Sequence, residues 1–246
     1  MLETKQNQRN VTGIVETRWQ ELYRIGFIAS VAFPLMILIA VIAYFIYPYT
    51  PGTTDVANIF TDLQNNRLAG LVKLDLTVPI ILPILILQFL ALYIALKRVN
   101  ESYALIALVL GLMSVVLWFT ARPLVEMTNL SDKYAAATSD TAKSQYLAAG
   151  EAFNALFNGT NWMLSQFLIG ISYLISILLM FRGKIFSKVT AYVGLANTLA
   201  GFCFLIPVIG SIALMLSTIG GAVWNILLAR DFYRLGWGKS KASQVV

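Results

Sequence analysis

Residues 189–229, VTAYVGLANTLAGFCFLIPVIGSIALMLSTIGGAVWNILLA, contain no Asp, Glu, Lys or Arg. At a rise of about 1.5 Å per residue, one helix of this length would be about 60 Å long, whereas a bilayer core is about 30 Å thick. The run must therefore fold back on itself. Pro207-Val208-Ile209-Gly210 lies near its middle, and Pro and Gly punctuate turns. The reading is a membrane hairpin with arms at 189–206 and 210–230.

The same rule applied outward finds four more charge-free gaps: 25–54, 76–96, 102–121 and 152–181. Each is long enough for one crossing of about 20 residues. The expected fold is all-α: a polytopic bundle of six transmembrane helices forming a single integral membrane domain over 1–246. The spans fall near 25–47, 75–96, 103–121, 161–181, 189–206 and 210–230. Composition agrees. Apolar residues make up 58% and charged residues 12% of the 246, with a mean hydropathy of +0.73. A soluble domain carries about 25% charged residues, and disorder requires the opposite balance.

Absences narrow the chemistry. The chain has no histidine, which removes His-ligated zinc, bis-His haem and any nucleophile activated by an imidazole. Cys203 is the sole cysteine, so no intrachain disulfide forms, and inside an apolar run it reads as a small buried hydrophobe. There is no GxSxG, P-loop or dinucleotide fingerprint. No catalytic residue, metal site or cofactor is expected.

Basic residues orient the spans. Of the 18 Lys and Arg, 13 fall on the side holding both termini and five (Arg67, Lys73, Arg122, Lys133 and Lys143) on the other. Both termini are therefore expected at the cytoplasmic face of a cell membrane. The scattered basic residues suit anionic lipid and not nucleic acid. Residues 11–24 read as a short interfacial lead-in with Trp19, Tyr23, Arg18 and Arg24. Trp118, Trp162, Tyr44 and Tyr47 sit near span ends, where aromatic belts form.

Two outer segments are long enough to carry structure. Helices are expected near 55–70 and 131–157. Ser131-Asp132 and Ser139-Asp140 are candidate N-caps. Tyr146, Ala149, Phe153, Leu156 and Phe157 make an apolar stripe. The second helix reads as a lid or a plain cap over the outer end of the bundle.

Polar groups at membrane depth are costly and so become candidate sites. Asp75, Arg122 and Glu126 form a candidate polar site at the outer mouth. Thr77 and Gln88 share a face of span two, which also carries Pro79 and Pro83. Asn158, Asn161, Ser165, Ser172 and Ser176 share a face of span four. Thr77, Gln88, Asn161, Ser165, Ser172 and Ser176 are the candidate cavity-lining residues. Gly194, Asn197 and Gly201 face Ala213, Ser217, Gly221 and Asn225 across the hairpin. Small residues every four positions let helices approach closely, so this set reads as helix packing.

Several separated blocks carry a resemblance: LALYIALKRVN at 90–100, ALFNGTNWM at 155–163, MFRGKIFSKVTAYVGLANTLAGFCFLIPVIG at 180–210 and WNILLARDFYRLGW at 224–237. From about residue 60 onward the chain resembles a family of small prokaryotic integral membrane proteins known as a domain of unknown function. The resemblance implies a six-helix membrane domain and brings no substrate or catalytic residues. Three function classes remain open. The first is a non-catalytic protein that binds lipid or a partner, or assembles as a homo-oligomer. The others are a small permease for a neutral or amphipathic solute, and a lipid-modifying enzyme at the outer face. A cavity reaching the midplane beside Gln88 and Ser172 would favour transport. Convergence of Asp75, Arg122 and Glu126 is required of the enzyme.

Overall fold

The computed structural model describes residues 2–48, 54–206 and 209–237, with side chains from Trp19 onward apart from those of Leu205, Ser211 and Leu214. Ten α-helices follow in order: α1 (Leu2–Ile46), α2 (Val56–Asn65), α3 (Arg67–Lys73), α4 (Thr77–Leu96), α5 (Glu101–Thr120), α6 (Leu124–Ala136), α7 (Asp140–Asn154), α8 (Thr160–Arg182), α9 (Lys188–Phe202) and α10 (Gly210–Trp237). Among the described residues there is no strand. With no water to hydrogen-bond the backbone, an apolar chain in lipid satisfies its N–H and C=O groups within helices.

Side chains mark where the helices begin. Asp55 caps α2, Asn100 caps α5, Ser139 caps α7 and Ser187 caps α9, each accepting a hydrogen bond from a backbone N–H of the first turn. These caps satisfy donors that the helix itself leaves open.

Among the described residues, four helical stretches are long and apolar enough to cross a membrane: Trp19–Ile46, Thr77–Leu96, and the stretches Glu101–Ala136 and Asp140–Arg182, which contain α5 and α8. The 15 residues of α9 reach about 22 Å, short of a bilayer core on their own.

The long helices close on themselves. α1 packs on α4, α4 on α5, α5 on α8, α8 on α9, α9 on α10, and α10 back on α1. One end of this ring is filled by Tyr23, Leu92, Leu96, Ile177, Met180, Phe186, Leu228 and Phe232. The other end carries α2, α3, α6 and α7, which bury their own core of Val56, Ile59, Phe60, Leu63, Leu74, Met127 and Phe157. We call these the inner end and the cap. Gly150 of α7 permits the contact with α2, because a Cβ there would lie 2.5 Å from Val56 Cγ1.

Several expectations are corrected. The lead-in at 11–24 is not a separate helix; it is the beginning of the continuous α1. Trp19 there sits under the Lys97 ammonium at 4.4 Å. The outer segment 131–157 is two helices that start earlier, at Leu124. Ser131 is no N-cap: it is buried within α6 and donates to Phe60 O at 3.0 Å. Phe60 O gives the buried Ser131 hydroxyl its partner where α6 meets α2, since a buried polar group left unpaired is costly. Cys203 is half-buried in a 3-10 turn after α9. Pro207 and Val208 of the hairpin turn, and Pro51, lie outside the described residues.

Candidate functional site

Within the ring lies a cavity of about 170 Å³. All six long helices contribute to its wall: Phe33 and Ile37 from α1, Leu85 from α4, Trp118 from α5, Gln166, Gly170 and Tyr173 among others from α8, Asn197, Thr198, Gly201 and Phe202 from α9, and Ser217, Gly221, Trp224 and Asn225 among others from α10. None of the lining residues is charged, and none comes from the cap helices.

Large rings prop the helices apart around it. Phe202 occupies the space that a side chain at Gly170 would need, with the Cβ position 2.5 Å from Phe202 Cζ. Trp224 likewise fits only because position 194 is glycine, whose Cβ would lie 2.5 Å from Trp224 Nε1. Tyr173 meets Trp224 edge to face, with ring centroids 4.7 Å apart.

A polar knot borders the cavity toward the inner end. Gln88, 1% exposed, donates to Asn225 Oδ1 at 2.5 Å and to Ser30 Oγ at 3.3 Å. Tyr173 donates to Gln88 Oε1 at 3.5 Å. Asn225 in turn donates to Gly221 O at 2.9 Å. These groups satisfy one another, as buried polar groups must. Beyond them the inner end is apolar and filled.

Four buried polar atoms on lining residues have no partner: Trp118 Nε1, Trp224 Nε1, Asn197 Oδ1 and Thr198 Oγ1. The one other such atom among the described residues, Asn154 Oδ1, lies in the cap. An unmade hydrogen bond costs about 1–3 kcal/mol per buried group. Trp224 Nε1 is pressed against Gly194 and Asn197 Oδ1 against Gly220, so these two atoms are sealed by the neighbouring helices.

A second polar feature joins the bundle to the cap. Arg122 Nε donates to Asp75 Oδ2 at 3.0 Å, and the side chains are only 5% and 16% exposed. The guanidinium also donates to Ala121 O and Phe157 O and lies 5.2 Å from the Phe157 ring centre. Asp75 sits at φ 65°, a left-handed conformation that Asp tolerates better than most residues. It is the corner between α3 and α4.

The family described as domain of unknown function, DUF4386, matches residues 24–230. The chain belongs to this family. The DUF4386 match covers every residue that lines the cavity. It also takes in the first span and α2, which lie outside the blocks that first carried the resemblance. No curated protein and no solved structure matches the chain.

Placed on this DUF4386 domain, the candidate residues change roles. Thr77, Gln88, Asn161, Ser165, Ser172 and Ser176 do not line this cavity. Ser172 donates to Ala107 O on α5 at 2.5 Å, Ser176 to Ser172 O and Ser165 to Trp162 O. Asn161 donates to Thr120 Oγ1 at 3.1 Å. Thr77 stands half-buried at the start of α4. The serine face is spent on the α5–α8 seam, where the helices touch too closely for a space. Of the set read as helix packing, Asn197, Gly201, Ser217, Gly221 and Asn225 line the cavity, whereas Gly194 and Ala213 pack.

The outer trio also comes apart. Asp75 and Arg122 pair, but Glu126 is exposed on α6 and joins neither. Leu124, Met127, Thr128 and Ser131 form the buried face of α6, and Glu126 lies off that face. Lys73 pairs with Asp62 at 2.6 Å instead of Asp75.

Most of the aromatic and polar wall was missed, including Tyr173, Phe202, Trp118, Trp224 and Thr198. Trp118 read as an interface anchor and lines the cavity. Trp224 and Thr198 lie beside Asn225 and Asn197, and their helical register was the available signal. Asp231 was also passed over: 3% exposed, it accepts from Ser187 N and Thr190 Oγ1 and ties the start of α9 to the end of α10.

Proposed function

We propose that this chain is a six-span membrane protein with both termini at the cytoplasmic face, and that it binds a small uncharged molecule without transforming it. The observation that carries the reading is the cavity between the helices, whose lining carries no charge. A charged ligand would enter such a site without a counter-charge, and burying an unpaired charge is prohibitive. The filled inner end favours binding over conduction, because a path across the bundle would need a way past Gln88 and Asn225.

The six-span count rests on the closed ring. α9 and α10 take the places between α8 and α1 in that ring, packed on each other and on those neighbours. The orientation rests on the 13-to-5 split of Lys and Arg between the two ends. The cap then lies outside a prokaryotic cell membrane, and lipid covers the apolar outer faces of the helices.

Native mass spectrometry of the gently solubilised chain tests binding. The reading expects a discrete neutral adduct of small mass that Gly221→Leu removes. A bare protomer across mild detergents would contradict it. Reporter fusions at each terminus test orientation, with cytoplasmic signals expected at both.

A further inference from the structure

The inner end carries a second concavity, on the outside of the bundle where α5 meets α8. It is a groove of about 190 Å³ lined by Tyr103, Ile175, Leu178, Leu179 and Arg182. Arg182, Leu178 and Ile175 follow one another at spacings of four and three residues on α8, so they share one face of that helix. Leu179 is buried, whereas Leu178 and Tyr103 are each 51% exposed. The groove therefore faces outward, toward the hydrocarbon that surrounds a membrane bundle.

Its charge is one-sided. Arg182 ends α8 and is exposed, and no hydrogen bond or ion pair among the described residues engages its guanidinium. No acid is among the lining residues. Glu101 precedes Tyr103 by two residues, which turns it about 200° away around α5. A guanidinium at the end of a membrane span lies at headgroup depth, and its fork of donors matches a phosphate. Tyr103, in the first turn of α5, adds a phenol hydroxyl of the kind that settles among headgroups. From Arg182 the face runs about 10 Å toward the bilayer centre to Ile175. A cavity of about 150 Å³ holds the six carbons of benzene, so this groove takes the first stretch of one acyl chain.

We propose that the groove binds one anionic phospholipid of the surrounding leaflet. Its phosphate sits on Arg182 and the Tyr103 hydroxyl, and one acyl chain lies against Leu178 and Ile175. A zwitterionic head would bring an ammonium that no carboxylate in the groove opposes. The groove shares no lining residue with the cavity inside the ring, so the two sites stand or fall separately.

Native mass spectrometry of the intact chain in neutral detergent, titrated with phosphatidylglycerol or phosphatidylcholine, tests the site. Phosphatidylglycerol is expected to stay as one adduct per chain and to be retained ahead of phosphatidylcholine. Arg182→Gln should weaken its retention about tenfold, the worth of one charge-assisted hydrogen bond. Leu178→Trp places a larger ring in the groove and should weaken it with Arg182 still present. Both positions are exposed, so both variants should fold. Arg234→Gln removes an exposed cation from the end of α10 and should leave retention unchanged.

Equal retention of the two lipids, or equal losses in Arg182→Gln and Arg234→Gln, would overturn the site in favour of diffuse surface charge. Glycerol phosphate should not displace the lipid. If it does, the groove is an anion site without an acyl component, and the lipid assignment falls.

Discussion

Ser165, Ser172 and Ser176 on α8 are small and polar at helical spacing, and so are Asn197 and Gly201 on α9 with Ser217 and Gly221 on α10. The first set closes a seam. Its hydroxyls donate to backbone carbonyls, one of them across to α5. The second set borders a cavity. The difference lies across the interface. Ser172 bonds the backbone of Ala107 on α5, which also buries the small residues Ala104, Gly111 and Ser114, so the two helices meet closely there. Around α9 and α10, Phe202 seats on Gly170 and Trp224 on Gly194. The rings take up the room that the glycines release and hold the remaining space open. A small residue is a packing device or a cavity wall according to what faces it.

The largest way to break this arrangement lies at the cap. Arg122→Ala removes a buried guanidinium that pairs with Asp75 and donates to Ala121 O and Phe157 O, and should cost about 3 kcal/mol. Thermal unfolding in detergent measures it. Asp75→Asn with Arg122→Met removes both charges and should recover much of the loss.

A pair of glycine substitutions sharpens the contrast between seam and cavity. At Gly111 of α5 a Cβ would lie 2.6 Å from the Phe89 ring, so Gly111→Ala should destabilise by about 1–3 kcal/mol through overpacking. At Gly221 the nearest atom to a new Cβ is Asn197 Nδ2 at 3.6 Å. Gly221→Ala should therefore be neutral or stabilise by up to about 1 kcal/mol, the usual helical advantage of alanine. Equal losses at both sites would erase the distinction.

The smallest effect is one of pH. Hydrogen bonds from Arg67 and then Gln64 hold the Asp132 carboxyl below its ordinary range. A lowered folded-state pKa adds stability above the unfolded value and loses it as pH falls through the folded one. Acid below about pH 4, near the ordinary Asp value, should loosen the cap slightly. Asp132→Asn should flatten that dependence in hydrogen exchange of α2 and α6.

The charge gaps located the four helical stretches long and apolar enough to cross a membrane, because an uncompensated charge cannot sit in hydrocarbon, a constraint written residue by residue. The cap helices were half legible: Ser139 signals its own helix, but Ser131 bonds Phe60 O, a partner 71 residues away. The site was least legible. Nothing in the composition of α8 or α10 says which neighbour will carry a ring, so Ser172 and Ser217 look alike along the chain.

Cysteine accessibility tests the central contrast most directly. In a Cys203→Ser background, Ser217→Cys and Ser172→Cys are each exposed to a small neutral thiosulfonate in membranes. The account predicts that the cysteine at 217 is modified and that the cysteine at 172 stays unreacted. Equal reactivity at the two positions would contradict it.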